Sequence, residues 1–271
     1  MFVRDFPDLA RSLGVTYDVT LHDFTPICPR IHAIDYRGRY CGLPRDPSAC
    51  DRCVGRAGRL TVTPSRVAEW RQANERILRA AVSIVAPSND TVERYARVWP
   101  GLAIRCTPHE PDRAPPAAAR RPRGCGASEP VRVAVAGSIH RMKGADVLLE
   151  AAADASRRKL PVRYSVIGSS IYDRKLRRLG VTVTGRYDRA RLPALLTEAG
   201  VHLVWLPSIW PETYCYVLSE IWEAGYYAVV FDTGAPAERI RKHGAGSILP
   251  IEWLDEPARV NEHFLSLRSA R

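Results

Sequence analysis

From residue 131 onward, short β-branched runs alternate with amphipathic helical stretches, and this alternation leaves few folds open. VRVAVAGSI (131–139) reads as a strand, and KGADVLLEAAADASRRK (143–159) as a helix with an apolar face of Val147, Leu148, Ala151 and Ala155. The strand VRYSVIGSS and helix YDRKLRRLG follow, then VTVTGRY with RARLPALLTEAG. After these come VHLVWLPS with ETYCYVLSEIWEAG, the strand YYAVVFDTG, and SILP as a sixth strand. Strands alternating with helices, several of them ending in Gly, specify a parallel sheet with helices on both faces. Right-handed crossovers make this region Rossmann-like, with ligands expected at the carboxyl ends of the strands.

The sequence before it is less regular. VTYDVTL (15–21) and SIVAPS (83–88) read as strands, and VAEWRQANERILRAA (67–81) and NDTVERYARVW as helices. Two or three strands are few for an independent α/β domain. EPDRAPPAAARRPRGCGASEP (110–130) is rich in Pro and Arg, lacks an apolar period and reads as a mobile linker. The expected organisation is therefore a partial α/β domain over 1–110 with a Cys-rich insertion at 24–60, a linker at 111–130, and a complete Rossmann-like domain over 131–271.

Composition narrows the class. With 46% hydrophobic and 25% charged residues, the chain is globular rather than disordered or fibrous. No apolar run approaches the ~18 residues of a membrane span, and MFVRDFPDLARSLG is amphipathic without a signal-peptide core. Seven cysteines in 271 residues are too sparse, and odd in number, for a secreted disulfide scaffold. A soluble cytoplasmic protein is expected. The net charge of +11 raises the question of nucleic acid. That charge is scattered through both halves and the linker, and there is no aromatic-interleaved basic strand or recognition helix. A zinc-containing nucleic-acid-binding or regulatory protein is thus the competing class, and no nucleic-acid partner is expected.

The richest segment chemically is PETYCYVLSEIWEAG. Pro211 suits the first turn of a helix, whose free N–H groups form an anion site. Glu212 and Glu220 stand eight residues apart, just over two turns, so both can project near one edge of a cleft. A carboxylate at a helix start also simply complements the dipole. The surroundings favour a site: LPSIW leads into Glu212, FDTGAPAERI follows Glu220 after one strand, and the first strand of this half ends in GSIHRMKGADVLLEA.

This ordered set, centred on the E-x7-E pair, resembles the carboxyl-terminal domain of GT-B glycosyltransferases of the retaining, family-four type. The resemblance covers roughly residues 131–250, and the wording ETYCYVLSE with GAPAERI is similar to a bacterial polysaccharide-assembly subgroup. It implies transfer of a sugar from a nucleoside diphosphate sugar to a glycan or lipid-linked acceptor, with retention and no cofactor for catalysis. Residue by residue, it implies that Glu212 bonds hydroxyls of the donor sugar, Glu220 holds the ribose, and Lys143 pairs with the diphosphate. Ser138 occupies the place of the family's arginine, and Arg141 is the nearby charge that would replace it. Cys215 replaces the family's glycine, and the amides of Tyr214, Cys215 and Tyr216 would face the phosphates. Gly185, Arg186 and Tyr187 fall where the family frames the base. His22, ending the strand VTLHD, corresponds to a histidine that faces the donor sugar across the interdomain cleft. No residue stands out as a general base. Against the family the amino-terminal half is short, which implies a missing part of the acceptor pocket, and hence an inactive fragment or a partner chain that completes it.

Cys28, Cys41, Cys50 and Cys53 occur within 26 positions. One C-x2-C with two further thiols suits a tetrahedral structural Zn2+ site, which stabilises thiolates in a reducing compartment. His22 and His32 are possible substitutes for one thiol. Free buried cysteines, or a redox pair at Cys50 and Cys53, are the other readings. The cationic charge left over from a diphosphate site suits an anionic membrane surface or a polyanionic glycan.

Overall fold

The computed structural model describes residues 5–57, 66–111, 113–126 and 128–268. The end of the expected Cys-rich insertion, 58–60, therefore lies outside the described residues. The chain divides into two compact units: Met1–Asp112 with Trp210–Tyr214, and Arg113–Ile209 with Cys215–Arg271.

The second unit follows the periodicity closely. Its strands are β4 (Val131–Ile139), β5 (Val162–Ser170), β6 (Thr182–Val183), β7 (Leu203–Leu206), β8 (Ala228–Phe231) and β9 (Gly246–Leu249). The intervening helices are α5 (Ala145–Arg157), α6 (Asp173–Arg178), α7 (Leu192–Glu198), α8 (Tyr216–Glu223) and α9 (Gly234–His243), with α10 (Pro257–Ser266) last. The sheet is parallel, in the order β6-β5-β4-β7-β8-β9, the doubly wound Rossmann arrangement. Alternate side chains supply opposite faces, as a strand's two-residue period requires. Val133, Val135, Trp205 and Phe231 enter one apolar core with α5 and α10. Ala134, Ala136, Val204 and Val230 enter the other with α7, α8 and α9.

Residues 113–126, expected within a mobile linker, lie against this second unit. They carry a short 3-10 turn, Ala117–Arg120, with Ala119 wholly buried. Arg120 Nη1 donates to the His243 carbonyl at 2.7 Å, and the Arg123 guanidinium lies 3.8 Å from the centroid of the Tyr226 ring. Without an apolar period, single anchors of this kind leave no mark in a hydropathy pattern.

The first unit has α1 (Phe6–Ser12), β1 (Asp18–Thr20), α2 (Pro47–Ala57), α3 (Val67–Ala80), β2 (Ser83–Ala86), α4 (Asn89–Val98) and β3 (Arg105–Cys106). Its parallel sheet runs β1-β2-β3 among the described residues. From Leu21 to Asp46 the chain forms no helix or strand, only one bridge between Ile34 and Tyr40. Yet Leu21, Phe24, Ile27, Cys28, Ala33, Ile34 and Leu43 are buried. Helix α3 anchors this stretch. Trp70 Nε1 donates to the Thr25 carbonyl (2.7 Å), and Arg71 donates to the Ile27 and Arg45 carbonyls (3.0 and 2.9 Å).

Candidate functional site

In the second unit, the carboxyl ends of β4 and β5 are built around glycines. Gly137 and Gly168 are register partners with φ of +113° and +130°. A Cβ on Gly168 would fall 2.0 Å from the Gly137 carbonyl oxygen, so this close approach needs glycine. Gly185, just beyond β6, donates its N–H to the Gly168 carbonyl at 2.8 Å. Ser138, Arg141 and Arg186 are exposed there, and Lys143 is half-buried.

Arg141 and Lys143 ride a tight turn leading into α5. The turn is docked on the chain leaving β7: the Met142 carbonyl accepts from Ile209 N–H (3.0 Å) and Ser208 Oγ (3.2 Å). Gly144, at φ +80°, has the Pro207 carbonyl oxygen 2.0 Å from where a Cβ would be, so the KG pair needs its glycine. The backbone that carries these two cationic residues is thereby fixed at the end of β4, one of the two central strands of the described sheet.

Glu220, on α8, accepts from Arg189 Nε at 2.9 Å. Burial, and then the Glu220 charge, push the Tyr187 phenol above its ordinary value, which places Tyr187 in the same group. Arg189 is a functional candidate that sequence reasoning missed, because no spacing distinguishes it from the neighbouring loop arginines.

Helix α8 begins at Tyr216, not at Pro211, so Glu212 and Glu220 do not share a helix as expected. Cys215 is the reason: it takes φ +72°, outside the helical region, and forms the N-cap. Buried Arg239 holds it there, donating from Nη1 to the Cys215 carbonyl (3.2 Å) and from Nη2 to Ser219 Oγ (2.9 Å). A left-handed position explains why the resembled family has glycine there. The Cys215 side chain itself is buried, whereas Tyr216 is exposed.

Glu212 belongs with the first unit, on Trp210–Tyr214. Thr213 Oγ1 donates to the His22 carbonyl at 2.7 Å, bringing buried Glu212 to the neighbourhood of exposed His22. Trp210 packs on Phe24 and His32, with ring centroids 6.2 and 4.6 Å away. Tyr214 is buried, its ring 5.4 Å from that of His109 and its hydroxyl donating to the Glu110 carbonyl. Burial, then the like charge of His22, depress the His109 pKa. His109 is a second candidate that no motif marked.

Among the described residues, Cys125, Glu129 and His202 place ligand atoms within 4.8 Å of one another. His202 Nδ1, however, accepts the Arg132 backbone N–H at 3.0 Å. A neutral ring then carries its proton on Nε2, leaving no lone pair for a cation. Cys125 Sγ donates to nearby backbone carbonyls, so the trio reads as a latch rather than a metal centre. Cys28, Cys41, Cys50 and Cys53 are gathered in the first unit, each within electrostatic reach of the other three.

Residues 126–267 match the profile of the family described as glycosyl transferases group 1, more than half of the chain. A search of curated proteins finds no match. Among solved structures, the chain is similar to Anabaena HepE in complex with UDP-glucose, with TM-score 0.56 and 15% identity over 98% of this chain and 68% of that one. It is also similar to "Trehalose-6-phosphate from E. coli bound with UDP-2-fluoro glucose" (TM-score 0.57, 13% identity, 97% and 63% covered). Sucrose-phosphate synthase from Thermosynechococcus elongatus gives TM-score 0.51 and 18% identity over 76% of this chain. The chain spans 55% of the length of that synthase structure. At such identities the likeness is one of fold.

Proposed function

This chain belongs to the group 1 glycosyl transferases and has the GT-B fold, and from that premise we propose that it moves a sugar from a nucleoside diphosphate sugar to a hydroxyl of a glycan or lipid-linked acceptor. The observation that carries this reading is the coincidence of the family match with the unit whose described sheet has six strands, where Gly137 lies near the carboxyl end of β4 and Lys143 and Gly185 follow the carboxyl ends of β4 and β6. That edge is where doubly wound sheets take nucleotides.

Lys143, Arg141 and the backbone amides around Cys215 would neutralise the charge that grows on the departing diphosphate. Glu220 would hold the ribose and Tyr187 the base side, with the Arg189 ion pair orienting Glu220 until the nucleotide arrives. Glu212 and His22 would address hydroxyls of the donor sugar. Transfer with retention, and without a cofactor in catalysis, belongs to the same reading. The net charge of +11 suits an acceptor at an anionic surface such as the inner face of a membrane. Among the described residues no helix is long and apolar enough to cross one.

The test is release of nucleoside diphosphate from UDP-, GDP- and dTDP-sugars in the presence of lipid or glycan acceptor fractions. Lys143→Ala is expected to lower kcat/KM about 100-fold, the scale of losing one preorganised charge contact. Turnover unaffected by Lys143→Ala and by Glu220→Gln would remove the assignment.

A further inference from the structure

We propose that Cys28, Cys41, Cys50 and Cys53 bind one Zn2+ as a tetrathiolate that staples the irregular stretch between β1 and α3. The four thiols reach the cluster by three routes. Cys28 lies in a tight turn, its N–H bonded to the Phe24 carbonyl at 2.8 Å. Cys41 follows the Ile34–Tyr40 bridge, with its N–H on the Ala33 carbonyl at 2.9 Å. Cys50 and Cys53 are three residues apart on α2, which puts both on one helix face. None of the four is in a disulfide.

One buried donor is built toward the cluster. The Cys50 sulfur accepts from Arg71 Nη2 at 3.3 Å. Arg71 is itself buried, with its other donors on the Ile27 and Arg45 carbonyls, so the guanidinium is fixed in place. A thiol is a weak acceptor, whereas a metal-bound thiolate is a good one. Arg71 thus ties the residue before Cys28 to the Cys50 sulfur and presents to it the kind of outer-shell donor that a thiolate site uses. The backbone agrees: Ile31, Ala33 and Leu43 take left-handed φ of 66°, 55° and 53° without being glycine, which a fixed centre among them would hold in place.

Binding is the exchange of four thiol protons for one Zn2+, leaving a net charge of −2 on the centre that Arg71 partly offsets. Sulfur lies about 2.3 Å from zinc in such sites. The ligand atoms that already fall within 4.8 Å of one another are, among the described residues, those of Cys125, Glu129 and His202, so binding must draw the four sulfurs inward.

The experiment uses the full chain purified without added metal. Elemental analysis should find about one zinc per chain. Replacement by Co2+ should give the strong visible ligand-field bands and near-ultraviolet charge transfer of a tetrahedral tetrathiolate. Cys28→Ser and Cys50→Ser should each lower zinc retention against a chelator about tenfold or more, Arg71→Met about tenfold, and the control Cys106→Ser not at all. Should the serine variants fail to fold, wild-type protein stripped by chelator and titrated with Zn2+ gives the same answer through recovery of the Co2+-competent site. Protein that holds no zinc and takes none up, with all four thiols open to a thiol reagent, overturns the proposal, as would iron with labile sulfide. These readouts do not depend on sugar transfer, so the site stands or falls separately from the proposed function.

Discussion

The two units cover their parallel sheets by different means. In the second, strand residues alternate between two apolar cores, and helices on each face complete them. In the first, three short strands are accompanied by a long irregular stretch held by single polar contacts from α3 and, we propose, by a metal. The contrast teaches that one protein can be stabilised by periodic burial in one region and by a few directed bonds in another.

The largest expected effect is at the centre of the apolar design. Trp205→Ala, a fully buried indole packed on Phe231 and Phe264, should cost about 3–5 kcal/mol. Differential scanning calorimetry should show the loss in the transition of the second unit alone. Equal shifts in all transitions would mean that the two regions melt as one, and the contrast drawn above would fail. Next is Arg71→Met, which leaves the buried Ile27 carbonyl, the Arg45 carbonyl and the Cys50 sulfur without their donor, for about 3 kcal/mol. Here the first unit should suffer. A variant as stable as the wild type would show that polar stitching does not hold this region.

A smaller effect sharpens the description of α8. Cys215→Val puts a β-branched residue at φ +72° and should destabilise by about 2 kcal/mol in urea melts. Cys215→Gly should be nearly neutral, because relief of about 1 kcal/mol of strain offsets the lost burial of the thiol. Equal effects of the two substitutions would refute the strain argument. Smallest is the dependence on pH. Burial depresses the pKa of His202 and His263, so the unfolded chain binds protons that the folded chain refuses. Stability of the second unit should be full above the ordinary imidazole value of 6.5 and fall as pH drops below it. His202→Gln together with His263→Gln should flatten that slope, and an unchanged slope would assign it elsewhere.

How far the sequence could be read follows the same division. The periodicity of 131–170 places β4 and β5 at their observed limits, and α5 within two residues of its expected ends. It also shows why the E-x7-E segment misleads. Helical spacing extends back through Glu212, but Cys215 at φ +72° and the Thr213 bond to His22 let the helix begin only at Tyr216. A tertiary contact overrode a local pattern. Helix α2 and strand β3 carry no signal in the sequence, one because of its Cys, Arg and Gly content and the other because it is two residues long. Lys143, Gly185 and Glu220 could be named because each falls on a motif of the resembled family. Arg189 and His109 could not, since their places depend on how loops close.

The account rests on the second unit as a seat for a nucleoside diphosphate. The most direct measurement is the thermal transition of that unit, followed with UDP, GDP, dTDP and their sugar conjugates, for the wild type and for Lys143→Ala. One nucleotide series at 100 times its Kd should stabilise by about 2.7 kcal/mol. For a unit of this size that raises its Tm by roughly 5–10 °C, and Lys143→Ala should abolish most of the shift at the same concentration. No shift with any nucleotide, or one that Lys143→Ala leaves intact, would contradict the account.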